Sequence, residues 1–441
     1  MLKNVYIETY GCQMNIADSE IVASFLKKTD GYTLCKDIRT ADIILINTCS
    51  IRENAEKKIW RRLEAIRHLK KKKKDLVIGL LGCMAERLKE QIIETDHFVD
   101  IVAGPDSYRD IVSMIKKADS GHRAVNVLLS REETYADISP VKLDSNGVTA
   151  FIPIMRGCNN MCSYCVVPYV RGAERSRDPE SVVREARELF EKGYREITLL
   201  GQNVNSYNWK QENTIVNFAH LLEKTALIDP LLRVRYSTSH PKDLSDEVLL
   251  IMAKHKNICR HIHLPAQSGS NRILKLMNRG YTRELYMERI EAIRSILPDC
   301  AISTDMITGF CTETEKDHEA SLSLMEWAEF DFSYMFRYSE RPGTKAARKL
   351  KDDVPEDVKA KRLNEMIALQ NILSAKSKKK DIGRIFEVLV EGYSKRSDNY
   401  LSGRTSQNKV AVFPVNGIKA GEYTSVLAEK CTSATLITRV V

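Results

Sequence analysis

Residues 151–165 read FIPIMRGCNNMCSYC, a short apolar run that leads into three cysteines, Cys158, Cys162 and Cys165, spaced C-x3-C-x2-C. The run at 151–155 predicts a strand, which puts the cysteines on the loop at its C-terminal end. One flexible loop can wrap three thiolates around a single metal cluster. An iron–sulfur cluster ordinarily takes four, so three leave one iron open to a ligand, as catalytic metals keep an open position. The competing reading is a structural zinc site, which asks for a fourth ligand and for C-x2-C pairs.

Working outward, residues 146–375 carry five more predicted strands, at 196–200, 233–237, 261–264, 301–307 and 332–337. Helical patterns lie between most of them. Residues 180–191 place Val183, Ala186 and Phe190 on one face, and 283–297 and 315–329 do likewise. Six β/α units predict a barrel or an incomplete one, with its chemistry at the C-terminal ends of the strands.

Residues 1–145 alternate predicted strands (5–9, 43–46, 76–81) with amphipathic helices (21–28, 55–68, 87–93), the pattern of a parallel α/β sheet. Cys12, Cys49 and Cys83 each follow one of those strands. Neighbouring parallel strands lie about 4.8 Å apart, so three strand ends can bring three thiolates together at the edge where open α/β sheets bind ligands. The alternative is three buried cysteines filling strand ends. The lysine run at 70–74 reads as a solvated helix end before it reads as a nucleic-acid contact.

Residues 376–441 open on a basic stretch, 376–380. Short strands follow at 385–390, 409–413 and 425–427, punctuated by glycines, which predicts a small all-β module. It holds 12 basic and 6 acidic residues, 12 − 6 = +6, against 68 − 59 = +9 for all 441 residues. Such a balance suits a polyanionic partner. The longest apolar stretch, 76–85, is about half of what a membrane helix needs, and residues 1–13 show no basic segment followed by an apolar one. A cytoplasmic protein with no membrane partner is expected. Eleven cysteines in such a chain point to metal ligation or catalysis before disulfides.

The C-x3-C-x2-C loop resembles that of the radical S-adenosylmethionine (SAM) superfamily. The whole chain resembles the methylthiotransferases, and its wording is closest to their MiaB branch: Tyr10-Gly11-Cys12-Gln13-Met14-Asn15 with Asp18-Ser19-Glu20, Asn47-Thr48-Cys49-Ser50-Ile51-Arg52-Glu53, and Gly82-Cys83-Met84-Ala85-Glu86-Arg87. Arg171-Gly172-Ala173-Glu174-Arg175-Ser176-Arg177, Tyr338-Ser339-Glu340-Arg341-Pro342-Gly343-Thr344 and Gly403-Arg404-Thr405 match as well. The RimO branch, which modifies a ribosomal protein, usually reads Gly-Cys-Pro-Lys-Asn at the first motif. One departure is visible: after Gly309-Phe310 the family usually has proline and glycine, where Cys311-Thr312 stand here.

The resemblance implies three domains: 1–145, a parallel α/β methylthiotransferase domain; 146–375, a partial (β/α)6 radical SAM barrel; and 376–441, a TRAM-like RNA-binding barrel. It implies two 4Fe-4S clusters, a SAM-binding one on Cys158, Cys162 and Cys165 and an auxiliary one on Cys12, Cys49 and Cys83. Tyr164 matches the position that packs against adenine, and Gln202 stands in the segment that contacts the methionyl amine. Ser237, Gln267 and Asp305 are further strand-end candidates for SAM contacts.

The implied reaction adds a methylthio group to C2 of N6-isopentenyladenosine, 3′ of a tRNA anticodon. One SAM provides the methyl group and another the 5′-deoxyadenosyl radical, while the auxiliary cluster provides sulfur. The implied partners are the anticodon stem-loop, an external one-electron donor and a donor that restores sulfur to the cluster. Arg404 and Lys409 are candidate phosphate contacts. Arg171 and Arg175 are candidates too, unless they form, together with Arg177, an ion-pair network with Glu174 and its neighbours.

Overall fold

The computed structural model describes residues 2–50, 53–89, 91–95, 98–143, 146–432 and 434–441. Ile51 and Arg52 of the second cysteine motif lie outside the described residues, as do residues 144 and 145 at the end of the first expected domain. The chain forms two compact units. The first comprises Met1–Asp144, Met155–Met161 and Cys165–Ser181; the second comprises Ser145–Ile154, Cys162–Tyr164 and Val182–Val441.

The first unit is built on six parallel strands. Their spatial order is Tyr32–Leu34, Lys3–Thr9, Ile43–Thr48, Val77–Gly82, Ile101–Ala103 and Ala124–Asn126. Strands Ile43–Thr48 and Val77–Gly82 are buried at every position, as expected of a sheet covered on both faces. On one face Ile21, Val22 and Leu26 pack with Ile111 and Ile115; on the other Ile59, Leu63 and Ile66 pack with Ile44, Ile46 and Ile78. The chain-order sequence 2-1-3 puts a topological switch point between Lys3–Thr9 and Ile43–Thr48. In open α/β sheets, that is where the carboxyl ends of strands open a crevice. The three strands not expected from sequence span three residues each, too few to show a period.

The second unit begins with six parallel strands in chain order: Thr149–Pro153, Glu196–Leu200, Arg233–Ser237, His261–His263, Ala301–Thr308 and Phe332–Arg337. They form two three-stranded sheets. The sheets meet through a parallel pairing of Val234 with Ile258 and a bond from Ser239 N–H to the His263 carbonyl. This is the expected open (β/α)6 array.

The departure at Cys311-Thr312 is accommodated locally. Cys311 is buried with Phe310, Tyr338 and Ala346. Thr312 takes the left-handed conformation, φ +63°, that glycine would adopt freely. Its N–H donates to Asp353 at 2.7 Å, and its carbonyl accepts from Arg272 at 2.6 Å.

Helix Glu356–Lys379 leads into a closed five-stranded barrel of Ile385–Ser394, Ser397–Thr405, Val410–Pro414, Thr435–Val440 and Tyr423–Cys431. Phe386, Val388, Leu401, Phe413 and Val426 fill it. Most of the basic stretch 376–380 is the last turn of that helix, and Lys376 and Lys380 both pair with Glu329. The small barrel docks on the larger one through arginines: Arg233 donates to the Arg404 carbonyl at 2.8 Å and Arg235 to the Thr405 carbonyl at 2.6 Å. Glu196 holds both guanidiniums at 2.6 and 2.8 Å. Among the described residues, no helix is long and apolar enough to cross a membrane.

Candidate metal centres

Cys12, Cys49 and Cys83 converge by register. Thr9 pairs with Asn47, and Thr48 pairs with Gly82. Cys49 and Cys83 are therefore the next residues on adjacent strand ends, and Cys12 stands one turn beyond the third. The strands that lead to Cys12 and Cys49 flank the switch point.

Two buried asparagines hold the turns. The Asn15 amide donates to Asn47 Oδ1 and to the Thr48 carbonyl, both at 3.1 Å; the Asn47 amide donates to the Asn15 carbonyl and to Ser19 Oγ, both at 3.0 Å. Two glycines permit the closeness. A Cβ at Gly11 (φ +126°) would stand 2.5 Å from the Cys49 Cβ, and one at Gly82 (φ +88°) would stand 2.3 Å from Asn47 Oδ1 and 2.6 Å from the Thr48 carbonyl oxygen.

Cys12 caps helix Gln13–Lys27, and Cys83 opens helix Cys83–Leu88. Burial pushes the Cys83 thiol up, while the Arg171 guanidinium pulls it the other way. This set of soft donors on a glycine cradle fits an iron–sulfur group. Among the described residues, no three His, Cys, Asp or Glu side chains are already gathered at metal-ligand spacing; the strand ends converge, not yet the sulfur atoms.

Beside this centre lies a buried ion network. Asp18 pairs with Arg156 at 2.9 Å and Arg171 at 2.8 Å, and Asp106 pairs with Arg175 at 2.7 Å and Arg156 at 3.5 Å. Three arginines against two aspartates leave 3 − 2 = +1 in the interior. This corrects the reading of Arg171 and Arg175 as RNA contacts: they are 3% and 6% exposed, and an RNA phosphate cannot reach them. The alternative, an ion-pair network, is what Arg171 and Arg175 form, with Asp18 and Asp106 among its acids.

In the C-x3-C-x2-C loop, each sulfur accepts a hydrogen bond. The Asn160 N–H donates to Cys158 at 3.4 Å, the Val167 N–H to Cys165 at 3.4 Å, and Arg279 Nη1 to Cys162 at 3.2 Å. Donors aimed at sulfur suit thiolate ligands. The Tyr164 ring lies edge-on to Phe310, with centroids 6.4 Å apart, and its hydroxyl faces Arg279 at 3.4 Å.

Buried polar atoms with no hydrogen-bond partner gather at the ends of the second, third and fourth barrel strands: Gln202 Oε1, Asn203 Oδ1, both amide atoms of Asn205, Ser239 Oγ, His240 Nε2 and Gln267 Oε1. Buried groups of this kind are ordinarily satisfied, so this row asks for a polar ligand and fits SAM. Gln267 holds a left-handed φ of +69° and is 8% exposed. Burial, with Arg279 and Lys242, pushes His240 down to about 2, so it is neutral at physiological pH. Ser237 ends its strand with Oγ 3.2 Å from Thr238 Oγ1. Asp305 departs from expectation: it is the fifth of eight residues in its strand, short of the end, with its carboxylate 3.5 Å from His263.

Of the other phosphate candidates, Lys409 is corrected: Asp381 at 2.5 Å and Asp331 at 3.7 Å engage its half-hidden ammonium. Arg404 is partly exposed and pairs with Glu391 at 3.1 Å. Sequence reading missed Arg279, Asn205 and His240, none of which stands in a cysteine motif. It also missed the exposed Tyr393, Lys395, Arg396 and Tyr400 around one hairpin of the small barrel. Their signal was a Lys-Arg pair flanked by tyrosines.

Residues 4–104 match the uncharacterized protein family UPF0004, residues 152–325 the radical SAM superfamily, and residues 379–441 the TRAM domain. A protein of Amoebophilus asiaticus named tRNA-2-methylthio-N(6)-dimethylallyladenosine synthase is 58% identical over 447 residues, covering 99% of this chain and 92% of the relative. A protein of Porphyromonas gingivalis with the same name is 55% identical, covering 100% and 95%. Among solved structures, the radical SAM methyltransferase TsrM of Kitasatospora setae superposes with a TM-score of 0.58 at 16% identity, over 79% of this chain and 77% of that one. The cobalamin-dependent radical SAM enzyme OxsB gives 0.55 at 15%, over 84% and 56%. At such identity these two share the fold alone.

Proposed function

Since the chain belongs to the MiaB-type methylthiotransferases of the radical SAM superfamily, we propose that it adds a methylthio group to C2 of N6-isopentenyladenosine, 3′ of the anticodon in tRNA. The observation that carries this reading is the presence of two separate cysteine centres in one chain. One is on the loop that follows the first barrel strand, and the other is at the switch point of a parallel sheet; unsatisfied polar atoms stand at the ends of the next three barrel strands.

When loaded, the 4Fe-4S group on Cys158, Cys162 and Cys165 supplies reductive cleavage of SAM, and that on Cys12, Cys49 and Cys83 supplies sulfur. The chain's own residues do the rest. Gln202, Asn203, Asn205 and Gln267 turn buried amide atoms toward a polar ligand and orient it. Ser237 and Tyr164 border it, and Asp305 reaches it from lower in the barrel. Neutral His240 offers a ring nitrogen without adding charge.

An anticodon loop is already single-stranded, so extruding its base is cheap. Single-stranded RNA is held by aromatic stacking and basic contacts. Tyr393, Lys395, Arg396 and Tyr400 supply both, with Arg404 nearby. The electron and the replacement sulfur come from external donors, and the protein works in the cytoplasm. We assign three domains at 1–145, 146–375 and 376–441.

The test is nucleoside mass analysis after anaerobic reconstitution with iron and sulfide. SAM, a reductant and an isopentenyladenosine anticodon stem-loop are added. Methylthio nucleoside together with 5′-deoxyadenosine is the expected outcome. If 5′-deoxyadenosine forms and the RNA is unchanged, the substrate assignment is wrong.

A further inference from the structure

Arg279 is a buried cation without an acid. It is 6% exposed. Its Nη1 faces Cys162 Sγ at 3.2 Å and Tyr164 Oη at 3.4 Å, its Nε donates to Tyr281 Oη at 3.1 Å, and its Nη2 donates to the Pro265 carbonyl at 3.1 Å. Tyr281 lies beneath the guanidinium, 5.2 Å from its ring centroid, and is itself tied to the Ala266 carbonyl at 2.7 Å. Among the described residues, no carboxylate stands within ion-pair distance of Arg279. Arg156, Arg171 and Arg175, equally deep, each have one. Burial works against the charge of Arg279, yet the phenols of Tyr164 and Tyr281 and the Cys162 sulfur keep it well above the usual guanidinium range.

A buried charge with neutral partners is strongly unfavourable. The group in reach that changes the balance is the Cys162 sulfur, which becomes anionic when it ligates a metal. We propose that Arg279 is a positioning residue and counter-ion for the Cys162 thiolate, and that its N–H···S bond raises the reduction potential of the 4Fe-4S group on the loop. Hydrogen bonds to sulfur and nearby positive charge both stabilise the reduced, more negative cluster. The bond eases entry of the electron that SAM cleavage requires, and that electron comes from the external donor. The tie to Tyr164 also couples the aromatic position next to Cys165 to the same guanidinium. The inference rests on the loop holding an iron–sulfur group.

The test uses the full chain with Cys12, Cys49 and Cys83 changed to alanine, so that one cluster remains, alongside the same protein carrying Arg279→Lys or Arg279→Met. Each is reconstituted, assayed for iron, and titrated by EPR at controlled potential. Arg279→Met is expected to lower the fraction reduced by a fixed donor about tenfold, equivalent to ~59 mV for one electron. Arg279→Lys restores part of the loss. Iron bound with the same potential in all three overturns the proposal and leaves the loop assignment standing, whereas no iron in the parent overturns both. If Arg279→Met fails to hold iron, the decision passes to the parent protein labelled with guanidino-15N arginine. A nitrogen hyperfine coupling to the reduced cluster upholds the N–H···S bond, and its absence overturns it.

Discussion

The two cysteine centres reach similar chemistry by opposite routes. The loop centre packs its three sulfurs into eight consecutive residues, 158–165, while the other draws on residues 12, 49 and 83, separated by 49 − 12 = 37 and 83 − 49 = 34 positions. The loop needs little besides its own backbone N–H groups and one arginine. The dispersed centre needs strand register, two φ-positive glycines, and asparagines that tie one turn to the next. The arginines differ in the same sense. Arg171 is offset by Asp18 and only pulls against the burial that raises the Cys83 thiol, whereas Arg279 has no acid and directs its charge at Cys162 and two phenols. A centre assembled from distant strands is thus vulnerable at residues that touch no metal.

The largest effects separate the two centres by chemistry. Cys158→Ala is expected to abolish both SAM cleavage and methylthiolation. Cys12→Ala is expected to abolish methylthiolation alone, with 5′-deoxyadenosine still formed under reductant. Methylthio product from the Cys12 variant, read by nucleoside mass analysis, would end the division of labour proposed here.

Next comes the ion network beside the dispersed centre. Asp18→Asn leaves Arg156 and Arg171 without their shared acid, and breaking such a buried pair costs about 3–5 kcal/mol. Urea unfolding should show that loss, and a loss below about 1 kcal/mol would mean the pairs behave as surface ones.

Smaller again is Gly82→Ala. The added Cβ meets Asn47 and the Thr48 backbone at φ +88°, with an expected cost of about 1–3 kcal/mol. Iron bound by the dispersed centre should fall while iron on the loop stays. Equal loss from both would erase the contrast in how they are built.

The last effect depends on pH and vanishes in acid. Burial raises the Glu86 carboxyl from 4.5 to about 7, with Lys89 opposing it and Asp106 adding to it. The unfolded chain ionises this group nearer 4.5, so its stabilising contribution is complete below that pH and is lost as pH rises through about 7. Glu86→Gln removes the dependence. Its melting temperature relative to the parent should rise steadily from about pH 5 to about pH 8, and a flat difference would place the carboxylate in contact with solvent.

How much was legible in advance follows from range. Strands 196–200, 233–237 and 332–337 came out at the residues expected, because short stretches of apolar, β-branched and aromatic residues between turns carry their own signal. The strands Ser397–Thr405 and Thr435–Val440 of the small barrel were missed; both carry polar residues throughout and gain their identity from partners across the barrel. Arg171, Arg175 and Lys409 were misjudged for one reason: a basic residue in a basic motif looks solvent-facing until the aspartate that buries it is known. Arg279 left no trace in any spacing, because its partner sulfur lies 279 − 162 = 117 positions away.

By itself, the sequence determined the local chemistry: which cysteines share a loop, which follow strands, and which family wording surrounds them. Those are matters of spacing, and spacing is covalent. Only the tertiary structure decided which charges face inward, which amide atoms are left without partners at the strand ends, and that Cys49 and Cys83 stand in register on adjacent strands. These depend on burial and on contacts between distant segments, whose energies arise only once water has been excluded from around them.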